Sequence, residues 1–156
     1  MSQSLLPGSK APDFSALDQD GNILSLSDYL GKKVVLYFYP HDNTESCTNQ
    51  ACNLRDNFSL LKKHKITVLG VSTDSQKSHK KFADKYNLPF TLIVDEDRKI
   101  VNLYKVWQWK QFMGRTYEGI VRTTFLIDEK GIIVHIIDKV KTKNHTEQIA
   151  AFWNLT

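Results

Sequence analysis

Long hydrophobic runs are missing from this sequence. Its longest apolar stretches, residues 34–39 and 132–137, fall far short of the roughly 20 residues that a helix needs to cross a bilayer. Residues 1–10 also lack the basic segment and the continuous apolar segment of a secretory signal peptide. We therefore predict that the protein neither spans nor binds a membrane and that it works in the cytoplasm.

Blocks of like charge, internal repeats and Pro/Gly-rich linkers are missing as well. The formal net charge of +4 comes from lysines spread along the chain, and the local groups at 77–81 and 139–143 do not alternate with aromatic residues. Such groups are more typical of a solvated surface than of a nucleic-acid-binding stripe. With 156 residues, 41% of them hydrophobic, the chain is expected to form a single domain over residues 1–156 that does not bind nucleic acid.

The chain has only two cysteines, Cys47 and Cys52. In a reducing compartment, two cysteines this close in sequence are more often catalytic, redox-sensing or metal-binding than a structural disulfide. Two other interpretations stay open on the residues alone. The thiols could be small buried hydrophobic groups, or they could bind zinc together with His41, although a fourth ligand at suitable spacing is missing.

Hydrophobic periodicity predicts alternating strands and helices. Residues 14–26 alternate around Asp20-Gly21-Asn22, which indicates an N-terminal β-hairpin, and residues 33–40 are apolar on both faces, as in a central buried strand. The other predicted elements are a helix over 44–63, a strand over 66–71, a helix over 75–86, a strand over 90–94, a hairpin of strands 121–127 and 132–137, and a helix over 144–153. The stretch with Trp107 and Trp109 shows no regular pattern, and both rings are expected to pack. This order predicts an α/β protein with a thioredoxin-like fold, in which helices flank a central mixed β-sheet.

Cys47 falls in the first turn of the helix predicted over 44–63, after a polar tripeptide, residues 42–44, that can cap it. Unpaired backbone N–H groups and the positive end of the helix dipole favour a thiolate at this position. Because the thiolate is the nucleophile, the position suits attack on a peroxide. Thr44 could serve as the helix N-cap alone, or as cap and substrate contact together.

The spacing of Pro40, Thr44 and Cys47 resembles the active-site pattern of the peroxiredoxins, which is Pro, three residues, Thr, two residues and Cys. A second cysteine five positions later, here Cys52, is typical of the peroxiredoxin Q, or bacterioferritin comigratory protein, subfamily. The wider resemblance to that subfamily is carried by Leu26-Ser27-Asp28-Tyr29, by residues 31–40, and by Val106-Trp107, Lys110, Gly114, Tyr117, Gly119-Ile120, Arg122 and residues 124–128. It covers nearly the whole chain, over residues 7–152.

This resemblance implies a function and a role for five residues. Cys47 would be the peroxidatic nucleophile, which reduces hydrogen peroxide or an organic hydroperoxide and becomes a sulfenic acid. Thr44 and Arg122 would hold the peroxide oxygens, and Pro40 would shield the pocket. Cys52 would resolve the sulfenic acid as a Cys47–Cys52 disulfide. The resemblance further implies reduction by thioredoxin or a similar dithiol, without a cofactor or a metal, and a monomer is expected, with a dimer as the alternative.

One departure from the family pattern and three alternatives bear on these roles. The family usually has Pro-Gly before the peroxidatic cysteine, whereas this chain has Glu45-Ser46, and the charge of Glu45 opposes a thiolate at Cys47. Arg122 could instead form a structural ion pair with Glu118. A thiol–disulfide oxidoreductase normally has cysteines two residues apart, which this chain lacks. In a redox-sensing binding protein, oxidation of Cys47 would change a partner surface, and turnover would be incidental.

The spacing of the two cysteines also predicts a movement. On one regular helix, five residues separate the Cα atoms by roughly 8.6 Å. A disulfide usually allows no more than about 6.8 Å between these atoms. We therefore expect residues 44–52 to unwind whenever the disulfide forms.

Overall fold

The structure is a computed structural model that describes residues 5–156. Its elements in chain order are β1 (Ser15–Asp18), β2 (Ile23–Ser25), β3 (Lys33–Phe38), α1 (Glu45–Asp56), α2 (Phe58–Lys63), β4 (Ile66–Ser72), α3 (Gln76–Tyr86), β5 (Thr91–Val94), α4 (Lys99–Leu103), β6 (Trp107–Phe112), β7 (Arg115–Ile120), β8 (Thr123–Ile127), β9 (Ile133–Ile137) and α5 (His145–Trp153). A short 3₁₀ helix, Leu26–Tyr29, follows β2. None of the helices described in this part of the chain is long and apolar enough to cross a membrane.

The main sheet is mixed, as predicted. Its strand order is β2-β1-β5-β4-β3-β8-β9. Strand β4 runs parallel to both β3 and β5, whereas β8 runs antiparallel to β3 and continues into the antiparallel β8–β9 hairpin. The predicted N-terminal hairpin, β1–β2, is present and joins the sheet through antiparallel pairing of β1 with β5. Because β3 and β4 end at the same edge of the sheet, the loops that follow them lie side by side.

Strand β3 lies in the middle of the sheet and contributes to the core on both faces. Its alternate residues enter two hydrophobic clusters, one with Val34, Leu36 and Phe38 and the other with Val35 and Tyr37, which Tyr39 just after the strand extends. This two-sided burial explains why the strand has an uninterrupted apolar sequence. Helix α1 packs into the second cluster through Cys47, Ala51 and Leu54, which recur at helical spacing. The core thus holds one face of α1 against the end of β3.

The predicted helix over 44–63 is interrupted. Helix α1 ends at Asp56 and α2 begins at Phe58, because Asn57 has the non-helical backbone angles φ −108° and ψ 13°. The Asn57 side chain donates from Nδ2 to the carbonyl of Asn53 at 2.8 Å. Asparagine side chains compete with the helical backbone for carbonyl groups in this way. The break at Asn57 is not visible in the sequence because the apolar periodicity continues across it.

The stretch with Trp107 and Trp109, which is expected to be irregular, contains regular structure. Helix α4 and a separate two-stranded hairpin, β6–β7, occupy it, and the hairpin turns at Met113 and Gly114, both with positive φ. Trp107 packs against the core, but Trp109 is 69% exposed, so the packing expected for Trp109 is wrong. Because both faces of the hairpin are largely exposed, its strands lack the apolar alternation that predicts a half-buried strand.

Candidate active site

Cys47 occupies the first turn of α1, as predicted. The loop from β3 reverses direction at Asn43, which has a φ of 65°, and Thr44 then forms the extended N-cap of the helix. Cys47 is the third helical residue, and only 2% of its surface is exposed. The side chain therefore lies at the positive end of the helix dipole, at the border between the core and the surface.

Arg122 lies in the link between β7 and β8 and contacts the first two turns of α1. Its Nη2 group donates to Cys47 Sγ and to Ser46 Oγ, both at 3.2 Å, and its Nη1 group donates to Gln50 Oε1 at 2.6 Å. The alternative ion pair between Arg122 and Glu118 is not formed, and the Glu118 carboxylate instead accepts from the Trp107 indole at 3.1 Å. The structure therefore brings a permanent positive charge to the Cys47 sulfur.

Thr44 and Pro40 flank the same end of α1. Pro40 comes two residues after the end of β3, and the Thr44 hydroxyl donates to the carbonyl of His41 at 3.3 Å. The Thr44 side chain makes no capping hydrogen bond, and the residue is exposed. The Thr44 hydroxyl oxygen, next to the Cys47 turn, is thus not occupied by a capping hydrogen bond.

Cys52 lies on the same helix as Cys47, and both thiols are free. Cys52 is partly buried, and this burial raises the pKa of its thiol, against the opposing effect of Arg55. Of the two cysteines, Cys47 alone receives a hydrogen bond from a cation among the described residues. Since α1 is continuous from Glu45 to Asp56, the regular helix keeps the two Cα atoms too far apart for a disulfide.

Two residues beside the cysteine were assigned no role from the sequence. Gln50 is fully buried on the inward face of α1, three residues after Cys47, and that helical spacing is the signal that could have identified it. Lys110 on β6 donates from Nζ to the carbonyl of Ile120, and burial together with the nearby charge of Arg122 lowers its pKa. These residues complete the polar surroundings of the Arg122 guanidinium.

Two histidines make polar contacts at the loop that leads into α1. His79 is fully buried, and its Nδ1 atom lies 2.7 Å from Oδ2 of Asp42, in the loop before α1. His41, the third ligand of the zinc alternative, faces Asp74 at 3.5 Å instead of the two cysteines. The loop that leads into the cysteine helix is thus joined to its neighbours by polar side chains.

Comparison with known proteins places this geometry in a family. The AhpC/TSA family matches residues 7–136. The putative peroxiredoxin bcp of Coxiella burnetii is 49% identical over 146 residues, which cover 94% of this chain and 97% of that protein. Peroxiredoxin Bcp of Escherichia coli is 48% identical over 145 residues, which cover 93% of each chain.

Solved structures agree with the sequence relatives. A peroxiredoxin Q mutant of Xylella fastidiosa superimposes with a TM-score of 0.91 at 29% identity, covering 98% of both chains. A bacterioferritin comigratory protein of Xanthomonas campestris, studied for its alkyl peroxide reduction activity, gives a TM-score of 0.85 at 30% identity over 90% of both chains. The chain therefore belongs to the AhpC/TSA family, and within it to the Bcp, or peroxiredoxin Q, group of thiol-dependent peroxidases.

Proposed function

We propose that Cys47 is the peroxidatic nucleophile of this peroxidase. The observation that carries the proposal is the Arg122 Nη2 contact with Cys47 Sγ at 3.2 Å, at the N-terminus of α1. The Cys47 thiolate attacks the terminal oxygen of a hydroperoxide, and the O–O bond breaks. The departing alkoxide or hydroxide takes up a proton and leaves as an alcohol or water, while Cys47 keeps one oxygen as a sulfenic acid.

Arg122, Thr44 and Pro40 support this step. The Arg122 guanidinium stabilises both the thiolate and the negative charge that develops on the leaving oxygen. The exposed Thr44 hydroxyl orients the bound peroxide by hydrogen bonding, and Pro40 limits access of water from the β3 side. The reaction uses side chains alone, and neither a cofactor nor a metal takes part.

Cys52 resolves the sulfenic acid in the second half of the cycle. Its sulfur attacks the Cys47 sulfur, water leaves, and a Cys47–Cys52 disulfide forms. A dithiol protein, which we propose to be thioredoxin or a similar reductant, restores both thiols by exchange. Because the regular helix separates the cysteines, the first turns of α1 open before the disulfide forms and close again after its reduction.

The proposal also covers the oligomeric state, the domain organisation, the compartment and the substrates of the enzyme. We propose a monomer with a single domain over residues 1–156, working in the cytoplasm on hydrogen peroxide and organic hydroperoxides. Alkyl peroxide reduction by the Xanthomonas campestris relative supports the organic substrates. The continuous seven-stranded sheet, which joins β1 and β9 in one layer, supports the single domain.

A steady-state assay tests the proposal. Consumption of hydrogen peroxide and of an alkyl hydroperoxide is followed with thioredoxin, thioredoxin reductase and NADPH. The parent enzyme is expected to turn over, and Cys47→Ser is expected to be inactive with an unchanged circular dichroism spectrum. Turnover by folded Cys47→Ser would overturn the assignment of the nucleophile. Peroxide loss with a small dithiol but not with thioredoxin would overturn only the choice of reductant.

A further inference from the structure

Asp42, in the loop between β3 and α1, is buried and accepts three side-chain hydrogen bonds. The hydroxyl of Tyr39 donates to Oδ1 at 2.6 Å, and the hydroxyl of Ser78 donates to Oδ2 at 2.8 Å. His79 Nδ1 lies 2.7 Å from the same Oδ2 atom, and the side chains of Asp42 and His79 are only 3% and 0% exposed. The carboxylate therefore links the end of β3 to the start of α3.

Both ring nitrogens of His79 have hydrogen-bond partners. His79 Nε2 lies 2.8 Å from the carbonyl of Ile93 on β5, and a carbonyl oxygen can only accept. The other ring nitrogen, Nδ1, faces the Asp42 carboxylate, which already accepts from two hydroxyl groups. One proton therefore lies between Nδ1 and the carboxylate, and the pair is a buried contact in which both ring nitrogens are hydrogen-bonded.

The main chain of the same residue is fixed as well. The backbone N–H of Asp42 donates to Asp74 Oδ2 at 2.7 Å, and Ser72 Oγ donates to that oxygen at 2.7 Å. Asp74 lies two residues after the end of β4, so the loop is joined to two strand ends and to α3. Only Asn43, in the left-handed conformation, separates this fixed point from the Thr44 N-cap.

The other end of the cysteine segment is held in a similar way. Asn53 accepts from the backbone N–H of Thr146 at 2.7 Å and donates to the carbonyl of Lys143 at 2.9 Å. Between these two attachments, in the described chain, the side-chain hydrogen bonds to residues 45–52 all come from Arg122. In the segment that opens in the proposed cycle, several side chains therefore hold each end, whereas Arg122 alone holds the middle by side-chain hydrogen bonds among the described residues.

We propose that Asp42 and His79 are positioning residues that hold the start of the cysteine helix in its closed, peroxide-reactive arrangement. This inference rests on the proposed function of Cys47 and Cys52. Removing one member of this buried hydrogen-bonded pair leaves the other polar group without that partner, which destabilises the arrangement that buries it. Since breaking the pair removes one of the attachments of the loop, the loss favours the open form of α1, in which Cys52 reaches the sulfenic acid.

The test separates the two chemical steps by quenched flow and mass spectrometry. His79→Leu is expected to slow sulfenic acid formation about tenfold or more and to accelerate Cys47–Cys52 disulfide formation. Ser78→Ala, which removes one neutral donor to Asp42, is expected to shift both steps in the same directions by roughly threefold. The double variant Asp42→Ala/His79→Leu is expected to slow sulfenic acid formation by less than the product of the two single effects, because both changes break the same contact.

Lys80→Gln is the matched control. Lys80 is next to His79 in the sequence, and its own ion pair with Asp20 is exposed. It is expected to change neither step. If His79→Leu and Ser78→Ala slow both steps together, or leave both unchanged, the positioning role is overturned. If the parent enzyme itself forms no Cys47–Cys52 disulfide, the proposed function fails and the positioning role falls with it, so the two failures are distinguishable.

Discussion

Arg122 donates to the Cys47 sulfur across 3.2 Å, from a link between two strands to the first turn of a helix. The same guanidinium donates from its other terminal nitrogen to Gln50 on the next turn, so two contacts hold it against α1. One arginine thus supplies positive charge to the nucleophile and connects the helix to the sheet. It is also the contact that opening of α1 must break.

Arg122→Ala is expected to slow the reaction of Cys47 with peroxide by about 10²–10³-fold, as for loss of a donor that stabilises a developing negative charge. Arg122→Lys keeps the charge but not the forked geometry that reaches Cys47 and Gln50 together, so it is expected to recover only part of the rate. Stopped-flow kinetics with hydrogen peroxide measure both variants. An unchanged rate in Arg122→Ala would show that the contact is structural.

Cys52→Ser is expected to reduce one equivalent of peroxide and then to show no catalytic turnover. The product is Cys47 sulfenic acid, which further peroxide converts into the sulfinic acid because no thiol intercepts it. Intact-protein mass spectrometry should record the addition of one oxygen and then of a second. Continued turnover of Cys52→Ser with thioredoxin would contradict the resolving role of Cys52.

Glu45→Gln is expected to accelerate the peroxide step. At about 8 Å in water, the carboxylate opposes a thiolate by roughly 0.5 kcal/mol, a factor of about two. The exposure of Glu45 makes this aqueous value the appropriate one. Glu129→Gln, on the exposed turn between β8 and β9, is the control for net charge. The difference between the two variants should diminish at high salt, and a slower Glu45→Gln enzyme would contradict the electrostatic argument.

The free energy of unfolding is expected to fall in acid because of His145. This fully buried ring is hydrogen-bonded to Thr124 and Gln148 at 2.9 Å, and burial lowers its pKa from 6.5 to about 4. Below pH 6.5 the unfolded chain therefore binds more protons than the folded one. The neutral ring contributes its stability above that pH and loses it, up to about 3 kcal/mol, as the pH falls to about 4.

Urea unfolding of the parent protein and His145→Asn at several pH values in this window measures the effect. The variant is expected to be less stable at neutral pH but to lose less stability on acidification. An equally steep loss in both proteins would show that other groups dominate the acid response.

The sequence predicts the cysteine helix well, since Cys47, Ala51 and Leu54 recur at helical spacing after a buried strand. Periodicity does not reveal the break at Asn57, because a side chain that competes for a backbone carbonyl leaves no trace in an apolar pattern. The β6–β7 hairpin is not predicted for a related reason. Because both of its faces are largely exposed, its sequence does not alternate between apolar and polar residues.

The polar contacts of the site depend on distant parts of the chain. Arg122 is 75 positions from Cys47, and resemblance to a family, not spacing, pointed to it. His79 is 37 positions from Asp42, and nothing in either local sequence indicates that they meet. Parallel pairing of β3 with β4 brings the following loops together, and only the folded sheet shows which side chains face each other.

Opening of α1 during the cycle is tested most directly by hydrogen–deuterium exchange of the reduced enzyme and of the enzyme oxidised with one equivalent of peroxide. Peptide mapping first establishes the Cys47–Cys52 disulfide in the oxidised sample. We predict much faster amide exchange across residues 44–52 in that sample, with little change in β3 and β4. Equal protection of these residues in both states, with the disulfide proven, would contradict the opening of the helix.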